Sequence, residues 1–192
     1  MASLSKLVAE IARITGEPVG RVRQIARNLQ EHGEIPTSVG RRVARVHPEH
    51  AVSLLFGMYA ADKIADVSSA AATYFDLPIF GKHVPPGFPN WARRKIESEI
   101  VTAGQVVTQI LAEAIDDEHR RLATTRIAIC VSWPQVDIQD SSSEEFEAAD
   151  VCFVEAAQDY KHWQSMKPMK TVTIPGNVLM LLAAFFRNDD DK

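Results

Sequence analysis

The chain is 192 residues long with 46% hydrophobic and 24% charged side chains, which excludes a disordered polymer and allows one or two domains around a sizeable core. Its 21 basic and 25 acidic residues leave a net charge of −4, which argues against a uniformly cationic nucleic-acid coat. The longest apolar run, Val178 to Phe186, falls far short of the ~20 residues that span a bilayer and no signal-peptide pattern opens the chain, so a cytoplasmic protein is expected.

The first fifty residues carry the chemistry that points at a partner. Leu4, Leu7, Val8, Ile11 and Ile14 recur at helical spacing, giving one buried face. Thr15-Gly16 breaks that helix and Pro18, with its fixed φ, can open a second. On the second helix Val19, Val22, Ala26 and Leu29 face inward, and Gly33 ends it. Arg21, Arg23, Gln24, Arg27 and Asn28 are left pointing outward. Such side chains make bidentate contacts to guanine (Arg) or adenine (Gln, Asn) in a major groove, so a helix-turn-helix is expected. Charge supports this locally: residues 1–50 hold eight basic and five acidic side chains, a balance of +3 against −7 for the remainder.

Ile35 and the alternating Val43 to Val46 predict two short strands around a Ser-Val-Gly turn. That basic hairpin would act as a wing, its Arg41, Arg42 and Arg45 lying along sugar-phosphate backbone. His47-Pro48-Glu49 then predicts a third helix with Pro at its first position. Its apolar face runs through Ala51, Val52, Leu54, Leu55, Met58 and Ile64. A short helix capped by Asp66 follows, to Phe75.

The Val-Ala-Glu-Ile-Ala-Arg-Ile-Thr-Gly first helix, the basic second helix and His-Gly-Glu-Ile-Pro leading into an arginine-bearing wing resemble the winged helix-turn-helix of the mercury-resistance regulator (MerR) superfamily. Phage excisionases and the heads of phage small terminase subunits are similar here. The whole chain also resembles uncharacterised proteins of alphaproteobacterial prophage and gene-transfer regions. The likeness covers about 65 residues. Gln24-Ile25 stand where MerR recognition helices carry an aromatic pair, and no cysteine cluster or aromatic pocket follows. What the resemblance implies is a reading head, with Arg21, Gln24, Arg27 and Asn28 in the groove and Arg41, Arg42 and Arg45 on the wing, and not a metal or drug sensor.

Leu77 to Pro89 holds four of the ten prolines and predicts a linker over 76–91, between a DNA-binding domain at 1–75 and a second domain at 92–192. A long helix over 92–118 shows a heptad seam of Ile96, Ile100, Ala103, Val107, Ile110 and Ala114, which fits either core packing or dimerisation. Thr124 to Trp133 predicts a strand that Val136-Asp137-Ile138 could continue past Pro134. Two more follow at 151–154 and 170–174. A final helix, 177–187 and opened by Pro175, is apolar nearly all round, fit for burial or for a subunit interface. Trp91, Trp133 and Trp163 would fill the second core.

His47 and His50 stand at i, i+3 without a third ligand, so no metal is expected. Cys130 and Cys152 lie far apart in apolar runs, which predicts free buried thiols. Asp116-Asp117-Glu118 and the Asp140 to Glu145 stretch read as solvated surface. No nucleophile motif, P-loop or dinucleotide fingerprint occurs, so neither catalysis nor a cofactor is expected. The expectation is an α+β protein, a winged helix-turn-helix followed by a small domain of one long helix and about three strands. It would act as a sequence-specific duplex-DNA-binding regulator of a prophage or mobile element. A homodimer or higher oligomer is expected, with a further protein as a possible partner of the C-terminal part. The alternative is a terminase-like role in packaging viral DNA.

Overall fold

The computed structural model describes residues 2–38, 43–79, 101–116, 122, 124–140, 149–154 and 170–190. These form a mixed α+β fold, mostly helical, with one four-stranded antiparallel sheet. Four helices come first: α1 (Leu4–Thr15), α2 (Val19–Glu31), α3 (Pro48–Ala60) and α4 (Val67–Phe75). Then follow α5 (Ala103–Asp116), β1 (Thr125–Cys130), β2 (Gln135–Asp140), β3 (Ala149–Val154), β4 (Thr171–Pro175) and α6 (Gly176–Asp190).

Local chemistry explains the N-terminal boundaries. Ser3 caps α1 by accepting from the Lys6 amide, and Gly16 closes it at φ 75°, a left-handed conformation that costs a side chain energy and glycine little. The end of α2 is a Schellman motif: Gly33, at φ 83°, donates to the Gln30 carbonyl while Glu34 donates to that of Leu29. Ile35 is thereby driven into the core, fully buried. It therefore does not form the expected first strand of a wing.

Helix α3 is the centre of the molecule. Nine of its thirteen residues are buried, Ala51 through Met58 among them. It packs on α2, α4, α5 and β1, so the single apolar face expected for it is an apolar surface all round. The helix ends at Ala60; Ile64 belongs to a separate 3₁₀ turn, Ile64–Asp66, and is exposed. Asp66 makes no side-chain cap on α4 because it already holds helical dihedrals. The Ser68 amide, in the first turn of α4, donates instead to Asn28 Oδ1 on α2 at 3.1 Å.

The stretch expected as a linker begins inside the fold. Leu77 is buried and accepts from the Ala103 amide, Pro78 and Ile79 pair with Thr102 and Phe153, and Pro78 accepts from the Val154 amide. Residues 80–91 lie outside the described part. The expected helix over 92–118 does not run unbroken, because Thr102 is extended and α5 starts at Ala103. The cause is a capping box: Thr102 Oγ1 accepts from the Gln105 amide at 3.4 Å and Gln105 Oε1 from the Thr102 amide at 3.2 Å. Of the supposed seam, Ala103, Val107 and Ala114 are buried within the chain, while Ile96 and Ile100 fall among residues not described.

The sheet has the order β3-β2-β1-β4, one strand more than expected. Residues 131–134 form a turn, so Val136 to Ile138 do not continue β1 but fold back on it, with Ile129 opposite Val136 and Ile127 opposite Ile138. A proline supplies no amide to a ladder, and Pro134 fits the turn for that reason. Trp133 stands half-buried in this turn rather than filling a core, its Nε1 donating to Gln135 Oε1. Ile127, Ile129, Val136, Ile138, Phe153 and Ile174 form the buried face, against which α3 and α6 pack. Pro175 ends β4 rather than opening the last helix, and a Cβ on Gly176 would lie 1.6 Å from the Leu122 carbonyl oxygen. Only glycine fits there. On α6, Val178, Leu179, Leu182, Ala183 and Phe186 are buried, whereas Met180 and Leu181 are about 40% exposed. Buried residues from α1 to α6 belong to one continuous hydrophobic cluster.

Candidate nucleic-acid interface

Helix α2 is held by one face and open on the other. Val22, Ile25, Ala26 and Leu29 are buried, and at ~100° per residue they leave Gln24, Arg27 and Glu31 on the opposite side, with Arg21 and Arg23 on its two shoulders. Arg21, Arg23, Gln24 and Arg27 are all exposed. Arg27 Nε donates to Glu31 Oε1 at 2.8 Å, and Arg21 stands 3.6 Å from Glu17. Three arginines against two glutamates leave this surface only weakly cationic. Exposed pairs of this kind contribute little, and either guanidinium can exchange its carboxylate for another acceptor.

Asn28 differs from its neighbours. It is half-buried, with its side-chain carbonyl engaged by the Ser68 amide, so it fastens α2 to α4. Of the wing arginines, Arg41 and Arg42 lie outside the described residues. Arg45 is exposed and pairs across an isolated antiparallel bridge with Ser3, while the next residue, Val46, donates to the Ala2 carbonyl at 3.1 Å. The only closure seen around the expected turn among the described residues is the Ala44 amide on Ser38 Oγ, at 3.0 Å. The expected pairing of Ile35 with Val43 to Val46 does not occur. The structure thus gathers Arg21, Arg23, Gln24 and Arg27 on one helix and places Arg45 beside the start of α1.

An open cleft of about 380 Å³ adjoins α2. Arg21, Gln24 and Ile25 form one wall, and the end of α3 with the turn leading to α4 forms the other. Lys63 lines it, a cation that sequence reasoning passed over because it lies in a connection rather than on a patterned face. Asp62 lines it too, but its carboxylate is held 2.8 Å from Lys170 Nζ, an ion pair that keeps its pKa below the ordinary carboxylate value.

The histidine pair at the start of α3 has a structural use. The His47 amide donates to His50 Nδ1 at 2.8 Å, and burial holds the His50 pKa below its ordinary value, with a smaller opposing effect of Glu49. Among the described residues no group of three potential metal ligands comes together, and no helix is long and apolar enough to cross a membrane. Both cysteines are free thiols, Cys130 buried and Cys152 half-buried. Comparison of the chain with protein-family models, curated proteins and solved structures gives no match.

Proposed function

We propose that this protein binds duplex DNA sequence-specifically, as a transcriptional regulator without chemistry of its own, and that α2 is its recognition helix. One observation carries the reading. The second of two helices joined by a tight glycine turn presents Arg21, Arg23, Gln24 and Arg27 to solvent, while its opposite face is fixed in the core. Arginine forks match the O6/N7 edge of guanine, and a glutamine amide matches the N6/N7 edge of adenine. Rigid anchoring of the buried face supplies the fixed orientation that groove readout needs. A single helix of this length contacts few base pairs, so a two-fold dimer on paired half-sites is part of the proposal. The setting, a prophage or other mobile element, rests on the resemblance of the N-terminal segment.

The test is selection of bound fragments from mixed genomic duplex DNA by the full chain, then titration of the enriched sequence at several salt concentrations. A shared motif is expected, with affinity that falls as salt rises. Arg27→Ala should cost about 1–3 kcal/mol on the selected site and relax preference at one base position. Absence of any salt-dependent binding would overturn the proposal.

A further inference from the structure

We infer that His47 and His50 form a proton-operated latch. Uptake of a proton by either imidazole frees the first turn of α3 and the extended segment that carries Arg45, while the rest of the fold stays closed. The latch is a capping box built from two histidines. His47 is the N-cap of α3, extended at ψ 170°, and its ring accepts from the His50 amide. His50 Nδ1 accepts in return from the His47 amide at 2.8 Å. Such boxes are commonly closed by Ser or Thr with Glu or Gln, whose acceptors keep their lone pairs across the neutral range. In an imidazole the accepting nitrogen is the one that takes the second proton, so each ring loses its bond on charging. Both rings also stand at the positive end of the helix, 5.8 Å apart between centroids, where added positive charge is repelled.

The box holds what lies just before it. The amide that His47 donates belongs to the peptide joining it to Val46, which is buried and itself donates to the Ala2 carbonyl at 3.1 Å. Arg45, one residue earlier, is exposed and pairs with Ser3 across an isolated bridge. The box therefore fixes the direction in which residues 43–46 run into the helix. Beyond it, Ala51 through Met58 are buried, so the body of α3 is held by packing and not by its cap. Burial and the neighbouring His47 oppose a charge on His50, and Glu49 on the same turn favours it. Among the described residues, no charged side chain of α2, α4, α5 or β1, the elements packed on α3, acts on His50. Through His50 the latch is shut at neutral pH and opens as the pH falls below 6.5, the ordinary histidine value.

The experiment follows solvent exchange of single amides by NMR in the full chain at pH 7.5 and 5.5, each rate corrected for its intrinsic pH dependence. The Val46, His47 and His50 amides should open more often at pH 5.5, by up to roughly tenfold. That is the most one histidine gives about one unit below its ordinary pKa. At both pH values they should open far more often than the amides of α5 and β1. His47→Ser together with His50→Gln supplies a box without a titratable acceptor and should abolish the difference. Equal corrected rates at both pH values in the parent would overturn the latch, as would the same rise in the double variant. Rates no faster than those of α5 and β1 would overturn it too, because these amides would then open only when the whole chain unfolds. None of these readouts involves DNA, so the latch and the reading of α2 stand or fall separately.

Discussion

Asn28 shows how one side chain can fit a recognition pattern and serve another end. Its position on the outer half of α2 matches an adenine-reading asparagine, yet its Oδ1 is the acceptor for an amide forty residues away. Asn28→Ala should therefore cost about 1–2 kcal/mol in urea unfolding, the usual loss of a helix cap with a buried donor left unsatisfied. Asn28→Asp, which keeps the acceptor, should recover most of it. Cys152 makes a second case. Burial and the Asp137 carboxylate, which accepts from the thiol, push its pKa up to about 12. At pH 8 the folded protein should then resist iodoacetamide, with roughly a thousandfold less thiolate at this site than in a denatured chain. Asp137→Asn should speed the reaction. The apolar neighbours of this thiol predicted full burial, and the structure leaves it half-buried. The carboxylate opposite it was not legible, because cross-strand register places Cys152 against Asp137 and a single sequence does not state register.

Among the elements, those written in local chemistry were legible and those set by tertiary neighbours were not. The glycine stops at Gly16 and Gly33 and the proline start of α3 follow from dihedral preferences of single residues. The Thr-x-x-Gln box at Thr102 was equally local, but a heptad pattern running across it hid the boundary. Periodicity alone cannot see that an apolar repeat crosses an extended residue. The β1–β2 reversal was hidden for a related reason, since the apolar alternation carries on through Pro134 on both sides. The start of α3 bears a pH prediction. His50 accepts a hydrogen bond from the His47 amide only while its Nδ1 is unprotonated. Its folded pKa lies below the unfolded value near 6.5, so the unfolded chain takes up the proton first. This contribution to stability should be intact above about pH 6.5 and fall as the pH drops toward the lower folded value. Thermal melts between pH 7.5 and 5 should show the loss, and His50→Gln should flatten that part of the profile.

At the scale of the whole molecule, the buried described residues from α1 to α6 belong to one hydrophobic cluster. The proline-rich composition was a fair linker signal, but it could not show Leu77 to Ile79 held against Thr102 and the β3 edge. Other ties cross the same divide: the Tyr74 hydroxyl donates to carbonyls of the β1–β2 corner, Lys170 pairs with Asp62, and α6 lies on α1. Chemical denaturation should therefore give superimposable transitions by far-UV circular dichroism, which reports helices along the chain, and by fluorescence of the tryptophans, all of which lie beyond residue 90. Two separated transitions would show that the halves unfold independently.

A central helix that is greasy on every side also limits how such a chain can be inherited. Many small domains travel between genes as cassettes, because their hydrophobic surfaces close on themselves. Here the flank of α3 that α5 and β1 cover would go uncovered if residues 1–75 were transplanted alone. Recombination that cut between the helices and the sheet would yield sticky fragments, and offspring of this gene should exchange it whole or not at all.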